Sequence, residues 1–181
     1  FYVSGATAIN DAFREITNDD LSTLLPIVFL LVCLFIYLSF RTLSTVVLTM
    51  MSVVISIAVM MGFAGWVGIP IHNLTAITPE FLIAIAVADS VHILAVYFIF
   101  RSQNQSHREA LYQSLEKNLI PTLLTSITTA IGFYSFATAG IRTISQMGIV
   151  AGTGTLLAWL ATYFVLAPLL SLLPLKAKPR T

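Results

Sequence analysis

The sequence predicts an all-α integral membrane protein, a bundle of five transmembrane helices. Apolar residues make up 57% of the 181 residues and charged residues only 9%, a balance that no water-soluble domain of this length needs for its core. The apolar residues fall into five runs long enough to cross the hydrocarbon layer as helices. An aspartate and a histidine interrupt the third run near its middle, and ionisable groups at that depth mark functional sites by default.

The chain divides into a polar start, a bundle and a basic tail. Residues 1–20 are predicted to be the end of an extracytoplasmic domain, closing with a short amphipathic helix. Asp19 and Asp20 are predicted to cap the span that follows. Residues 21–175 are predicted to form the transmembrane bundle, and residues 176–181 a cytoplasmic tail. The predicted spans are 21–40, 43–67, 79–100, 119–137 and 147–173.

The connections between the spans are short and carry recognisable helix signals. Only Arg41 and Thr42 separate the first two spans, which predicts a tight hairpin. Thr78, Pro79 and Glu80 give the third span a capping residue, a proline at its first position and an acid in its first turn. The sequence therefore predicts that a new helix starts here.

Residues 106–118 are predicted to form an amphipathic linker helix on the cytoplasmic surface, with Ser106 and Glu109 as its capping box. The fourth span carries small and hydroxyl-bearing residues at helical spacing, and this stripe is predicted to face the third span. Its members are Thr122, Thr125, Ser126, Thr129 and Gly132. For Thr125, Ser126 and Thr129, helix packing and the lining of a proton path are both open interpretations.

Asp89 is the candidate functional residue of the third span. It lies roughly 12 to 18 Å from either end of that helix, near the bilayer midplane. An ionised carboxylate there must face a wet cavity, take a partner or take up a proton. His92 follows three residues later, about 60° around the helix, and is predicted to share the same face. A buried hydrogen-bonded pair with only a packing role is the alternative.

Other functional classes lack the residues they require. Cys33 is the single cysteine, so neither a disulfide nor a cysteine metal site can form within the chain. We predict no metal site and no cofactor. The basic residues do not cluster with aromatic residues, so nucleic-acid binding is not supported. A catalytic enzyme is not predicted, because no stretch brings together a nucleophile, a base and an orienting group.

The basic residues predict the orientation. If the spans alternate, seven of the nine fall on one side of the membrane, which by their excess is the cytoplasmic side. The seven are Arg41, Arg101, Arg108, Lys117, Lys176, Lys178 and Arg180. The expected location is the inner (plasma) membrane, with the N-terminus extracytoplasmic and the C-terminus cytoplasmic.

Read together, AIAVADSVHIL (84–94) and LLTSITTAIGFYSF (123–136) resemble the membrane part of resistance-nodulation-division (RND) superfamily transporters. The nearest branch is the MMPL-like or predicted exporter group, which is kin to the sterol-sensing domains of Patched-type proteins. The resemblance covers the whole chain and includes VSGATAINDAF (3–13), similar to the end of an extracytoplasmic domain. It implies the second to sixth helices of one RND half, and the ADSVH form favours the N-terminal half.

The resemblance also implies a mechanism. In this family the fourth helix carries the acidic residue of a proton relay, and Asp89 occupies that position. The implied relay residues are Asp89, Ser90 and His92. Two departures are notable, because many relatives have tyrosine or aspartate where Ser90 stands and glycine where Ile85 stands. The relay would then run through His92 or through the other half, or the coupling to protons would be weak.

The function predicted in this way is proton-motive-force-driven export of lipid or other hydrophobic substrates by a larger permease. A sterol-sensing-type regulatory module that binds lipid without turnover is the first alternative, and a purely structural membrane subunit is the second. The expected partners are membrane lipids, the hydrophobic substrate and the other half of the same permease, with oligomerisation left open.

Overall fold

The computed structural model describes residues 6–173, and every regular element within them is helical. The helices are α1 (Ala6–Phe40), α2 (Leu43–Val67), α3 (Asn73–Ala76), α4 (Thr78–Ser102), α5 (His107–Ser135), α6 (Arg142–Ala161) and α7 (Ala167–Leu172). A 3-10 turn, Phe136–Thr138, follows α5, and a π-helical segment, Thr162–Leu166, joins α6 to α7. The predicted tail at 176–181 lies outside the described residues.

Five stretches of the described chain are long and apolar enough to cross a membrane. They are Ser22–Phe40, Leu43–Val67, Asn73–Ser102, His107–Thr138 and Arg142–Leu172. The predicted all-α architecture with five spans is therefore confirmed. The chain is a multi-pass membrane protein.

Helix α1 differs from its prediction because it is continuous. It runs for 35 residues from Ala6 to Phe40 and passes Asp19 and Asp20 without a break. The prediction that these two residues cap a new helix is wrong. An aspartate caps a helix only where the preceding backbone is not helical, and no glycine or proline stands between Ala6 and Pro26 to interrupt it. Pro26 itself is accommodated inside the helix.

The hairpin between α1 and α2 is as short as the sequence suggested. Arg41 takes a left-handed backbone conformation with φ 51°, and Thr42 is extended as the N-cap of α2. Helix α2 then ends at Gly68, whose φ of 73° is a conformation that suits glycine. Helix α4 begins at Thr78 and Ile77 is its N-cap, so the prediction that Thr78 caps this helix is wrong by one residue. Pro79 and Glu80 lie in its first turn.

Helix α5 merges two elements that were predicted to be separate. The predicted linker, 106–118, and the predicted fourth span form one helix of 29 residues. Ser106 is the N-cap, and its Oγ accepts a hydrogen bond from the Glu109 backbone N–H at 3.3 Å. The first turns are amphipathic and packed on α4, since Ser114 Oγ donates to Ile93 O at 2.5 Å. Pro121 is the only proline of this helix and does not end it.

Glycines set the spacing of the central helices. A methyl group on Gly148 of α6 would lie 2.5 Å from Phe133 O of α5. One on Gly154 would lie 2.7 Å from Met60 Cγ of α2 and 3.0 Å from Leu82 Cδ1 of α4. Close approach of this kind is how helices gain contact area in lipid, where the hydrophobic effect does not drive them together. Helix α6 thus packs directly against α2, α4 and α5.

Candidate functional site

Asp89 lies in the middle of α4 and is buried. Only 4% of the residue is exposed. Its Oδ2 atom is buried and has no hydrogen-bond partner among the described residues. Buried polar atoms are satisfied in the great majority of cases, so an unsatisfied carboxylate oxygen calls for an explanation. It points to water, to a proton or to a binding partner.

A cavity of about 120 Å³ opens beside this carboxylate, between α4 and α5. Its lining consists of Ile85, Ala88, Asp89, Thr125, Ser126 and Thr129. The structure therefore brings together four residues that were singled out in the sequence, Asp89 and the three hydroxyl residues of α5. Ser126 is 2% exposed, and its Oγ also has no hydrogen-bond partner among the described residues.

Ser90 and His92 are placed elsewhere. Ser90 is fully buried, and its Oγ donates to Ala86 O of the same helix at 2.7 Å. His92 is exposed and does not line the cavity. It lies on an outward stripe of α4 with Ala84 and Ala88, two neighbours at four-residue spacing that are exposed as well. A rotation of about 60° separates a carboxylate that lines the cavity from an imidazole that does not.

The predicted stripe on α5 does not face one helix: part of it lines the cavity beside α4, and part of it contacts the last span. Thr122 does not face α4 as predicted, since its Oγ1 lies 2.9 Å from the Tyr163 hydroxyl and accepts a hydrogen bond from Trp159 Nε1 at 3.1 Å. Both partners belong to the last span. Gly132 is exposed, with nothing within 4 Å of where a Cβ would stand. Only the middle of the stripe lines the cavity.

Two polar groups near the centre of the bundle were not singled out as candidate site residues from the sequence. One is a seam of hydroxyls on α2, all 0% exposed, formed by Thr45, Thr49, Ser52 and Ser56. Thr49 Oγ1 and Ser52 Oγ have no hydrogen-bond partner among the described residues. Their spacing of four, three and four residues was a readable signal for one buried face. The other group is Tyr163 with Trp159, which carried no local signal because it meets α5 only in the folded bundle.

No metal centre is built by the part of the chain that the structure describes. Residues 6–173 contain no group of three or more histidine, cysteine, aspartate or glutamate side chains that could hold a metal ion.

Comparison with known proteins decides the family. The model of the MMPL family matches residues 1–179. The chain belongs to the MMPL family. The resemblance seen in the two sequence motifs of α4 and α5 is thereby confirmed.

A curated relative is similar to part of this MMPL chain. The hopanoid transporter HpnN of Rhodopseudomonas palustris (strain TIE-1) is 32% identical over 83 residues. The aligned stretch covers 43% of this chain and 10% of the relative. The similarity thus concerns a small part of a much longer transporter.

Proposed function

We propose that this chain is the membrane part of one half, the N-terminal one, of a permease that exports lipid or other hydrophobic molecules across the inner membrane. Proton movement through Asp89 would drive export. The observation that carries the proposal is the buried Asp89 carboxylate with an unsatisfied oxygen in mid-span. Membership of the MMPL family and the partial similarity to a hopanoid transporter support the transport of a lipid-like substrate.

The cavity has the properties that a proton site in a membrane requires. The carboxyl group changes its charge when it binds or releases a proton, and burial makes the charged form costly unless water or hydroxyls solvate it. A cavity of about 120 Å³ has room for several water molecules. The hydroxyls of Ser126 and Thr129 can donate to and accept from such waters. The Thr125 hydroxyl donates to Thr122 O at 2.9 Å and can accept from them. Protonation and release can therefore both occur there.

The outward stripe of α4 is where we place the other half of the permease. Ala84, Ala88 and His92 are exposed, and Ala88 also lines the cavity. Small residues at four-residue spacing let another helix approach closely, and an imidazole is costly in contact with lipid alone. A second half packed on this stripe would bring His92 into the protein interior and close the cavity from the outside.

The test compares Asp89→Asn with Glu116→Gln in the full-length protein that carries this chain. Asparagine keeps the shape of the side chain but cannot bind or release a proton, whereas Glu116 is an exposed carboxylate on α5. Uptake of a labelled lipid into inverted membrane vesicles, which corresponds to export from the cytoplasmic side, is measured under an imposed pH gradient per molecule of inserted protein. We expect Asp89→Asn to lose at least about 100-fold of the proton-dependent rate, since proton transfer steps contribute on this order, and Glu116→Gln to export normally.

An Asp89→Asn protein that exports at the normal rate per molecule would remove the proton-coupling proposal. Retained binding of a photoreactive lipid by wild-type protein that never exports under a pH gradient would instead favour the sterol-sensing-type alternative.

A further inference from the structure

The loop between α2 and α4 packs over one end of the bundle. This α2–α4 loop runs from Gly68 to Ile77 and contains the short helix α3. Helix α3 packs against α6, α4 and α1. Thr75 of α3 is only 4% exposed, and Thr78 Oγ1 donates to Thr75 O at 2.6 Å. The predicted orientation places this end of the bundle outside the cytoplasm.

His72 ties the α2–α4 loop to the last span. Its Nε2 lies 2.8 Å from Oε1 of Gln146, which belongs to the first turns of α6. On the other side of the ring, the His72 side chain is the acceptor for the Thr75 backbone N–H in the capping box of α3. Nδ1 also lies 3.4 Å from Thr75 Oγ1, and the His72 backbone N–H donates to the same Oγ1 at 2.8 Å. The imidazole therefore connects α3 with α6.

These partners determine where the ring carries its hydrogen. A backbone N–H can only donate, so the Nδ1 atom that faces it has no hydrogen. The single hydrogen of the neutral ring is then on Nε2, which donates to Gln146 Oε1. An imidazolium carries hydrogens on both nitrogens, and the second one would point at the Thr75 N–H. Because the ring is rigid, a rotation that relieves this contact also withdraws Nε2 from Gln146.

We propose that His72 is a pH-sensitive switch that holds the α2–α4 loop on α6 in its neutral form and releases the loop when it is protonated. The proton comes from the water at this end of the bundle and binds to Nδ1. The hydrogen bond to Gln146 is then lost, together with the cap of α3. The inference is independent of the proposed function, because it requires neither transport nor a proton on Asp89.

The ionisable groups around His72 belong to the elements that meet the loop. Arg142 starts α6 and Glu80 lies in the first turn of α4. The loop itself has no other ionisable side chain, and α2 contains no Asp, Glu, His, Lys or Arg. Histidine is the one side chain whose ordinary titration falls between about pH 5 and 8, so we assign a response in this range to His72. Ahead of its span, α1 carries Asp11, Arg14, Glu15, Asp19 and Asp20.

His107 provides a matched comparison, because both of its partners tolerate a charged ring. Its Nδ1 lies 2.8 Å from the Tyr97 hydroxyl, and its Nε2 lies 3.2 Å from Ser171 O. A hydroxyl and a carbonyl can both accept a hydrogen bond, so the contacts of His107 survive protonation. His107 begins α5, next to the end of α4, whereas His72 precedes the start of α4. The two histidines therefore lie at opposite ends of the bundle.

The experiment follows the mobility of the loop in full-length protein in phosphatidylcholine liposomes. A nitroxide spin label is attached to Ile71→Cys, with Cys33→Ser and any further cysteine of the full-length protein replaced. Ile71 is 66% exposed, so the label displaces no buried side chain. Electron paramagnetic resonance spectra are recorded from about pH 8 to about pH 5.5, the range in which histidine changes charge. We expect the mobile component to increase reversibly as the pH falls.

Two variants test the two contacts of the ring. His72→Asn should abolish the pH dependence, because asparagine can cap α3 by accepting the Thr75 N–H but does not titrate. Gln146→Leu removes the partner on α6 and should show, at the alkaline end of the series, the mobility that the wild-type loop reaches only in acid. The control His107→Gln should keep the wild-type response.

Identical wild-type spectra across the pH series would overturn the inference, as would an unchanged pH response in His72→Asn. If His72→Asn fails to insert, Gln146→Leu decides the question, since a loop as immobile as that of the wild type at the alkaline end would show that His72 does not hold it. Loss of the response in His107→Gln would assign the pH dependence to a general loosening of the bundle and would also overturn the inference.

Discussion

Asp89 and His92 stand three residues apart, yet their surroundings differ completely. The carboxylate is buried beside α5 and the imidazole is exposed on the outward stripe of α4. We expect His92→Gln to reduce proton-coupled export less than about tenfold, well short of the effect of Asp89→Asn, because it alters the surroundings of the site without removing the group that binds the proton. Export per inserted molecule, measured for both variants across a pH series, checks this. A His92→Gln protein as inactive as Asp89→Asn would place the imidazole in the relay itself.

At this scale the sequence revealed residues that share a helix but not those that meet across helices. Asp89 could be predicted because a carboxylate in an apolar run is costly wherever the other helices lie. Ser126 could be predicted from helical spacing on α5. The contact of Tyr163 with Thr122 could not, since it depends on how the last span packs against α5. His92 lies about 60° around the helix axis from Asp89. The periodicity of the sequence does not distinguish two positions so close in angle, so it did not predict that only one of them lines the cavity.

At the scale of elements, the existence of each helix was predictable and the helix ends were less so. Asp19 and Asp20 resemble an N-cap, but α1 continues through them. Ser106 resembles an N-cap and is one, because Asn104 just before it takes a left-handed conformation with φ 62° and breaks the preceding helix. Capping residues therefore predict a helix start only where something else stops the helix before them.

Glycine positions on α5 and α6 give a matched test of helix packing. Gly148→Ala should destabilise the bundle by about 1 to 3 kcal/mol, because the new methyl group would meet Phe133 O at 2.5 Å and α5 must move. Gly132→Ala adds the same methyl group where nothing lies within 4 Å, so its higher helix propensity should leave stability unchanged or raise it by up to about 1 kcal/mol. Thermal unfolding in detergent compares them. Equal melting temperatures for the two variants would contradict the close contact of α5 and α6.

At the scale of the whole molecule, polar groups concentrate where the helices meet. The α2 hydroxyl seam is fully buried, and Thr155 and Thr162 of the last span are fully buried as well. Many of these hydroxyls donate to carbonyls of their own helix, as Thr155 does to Ala151 O at 2.9 Å and Thr162 to Ala158 O at 3.0 Å. Among the described residues, the buried hydroxyls of Thr49, Ser52 and Ser126 are exceptions, and Oδ2 of Asp89 likewise has no hydrogen-bond partner. An interior of this kind can admit water without exposing charge to lipid.

The five spans also fix which loops share a side of the membrane. Helix α2 begins next to Arg41 and α4 ends next to Arg101, so alternation of the spans puts Arg41, Arg101 and the Asn104 turn together. The excess of basic residues there predicts that this side is cytoplasmic.

Single cysteines in a Cys33→Ser background test the prediction with a membrane-impermeant maleimide. Asn104→Cys should be labelled only in inverted vesicles, and Ile71→Cys, in the exposed loop after α2, only in intact cells. Both positions are exposed, so a failure to react reflects the side of the membrane rather than burial. Labelling of both cysteines from one side would show that the span between them, Asn73–Ser102, does not cross the bilayer.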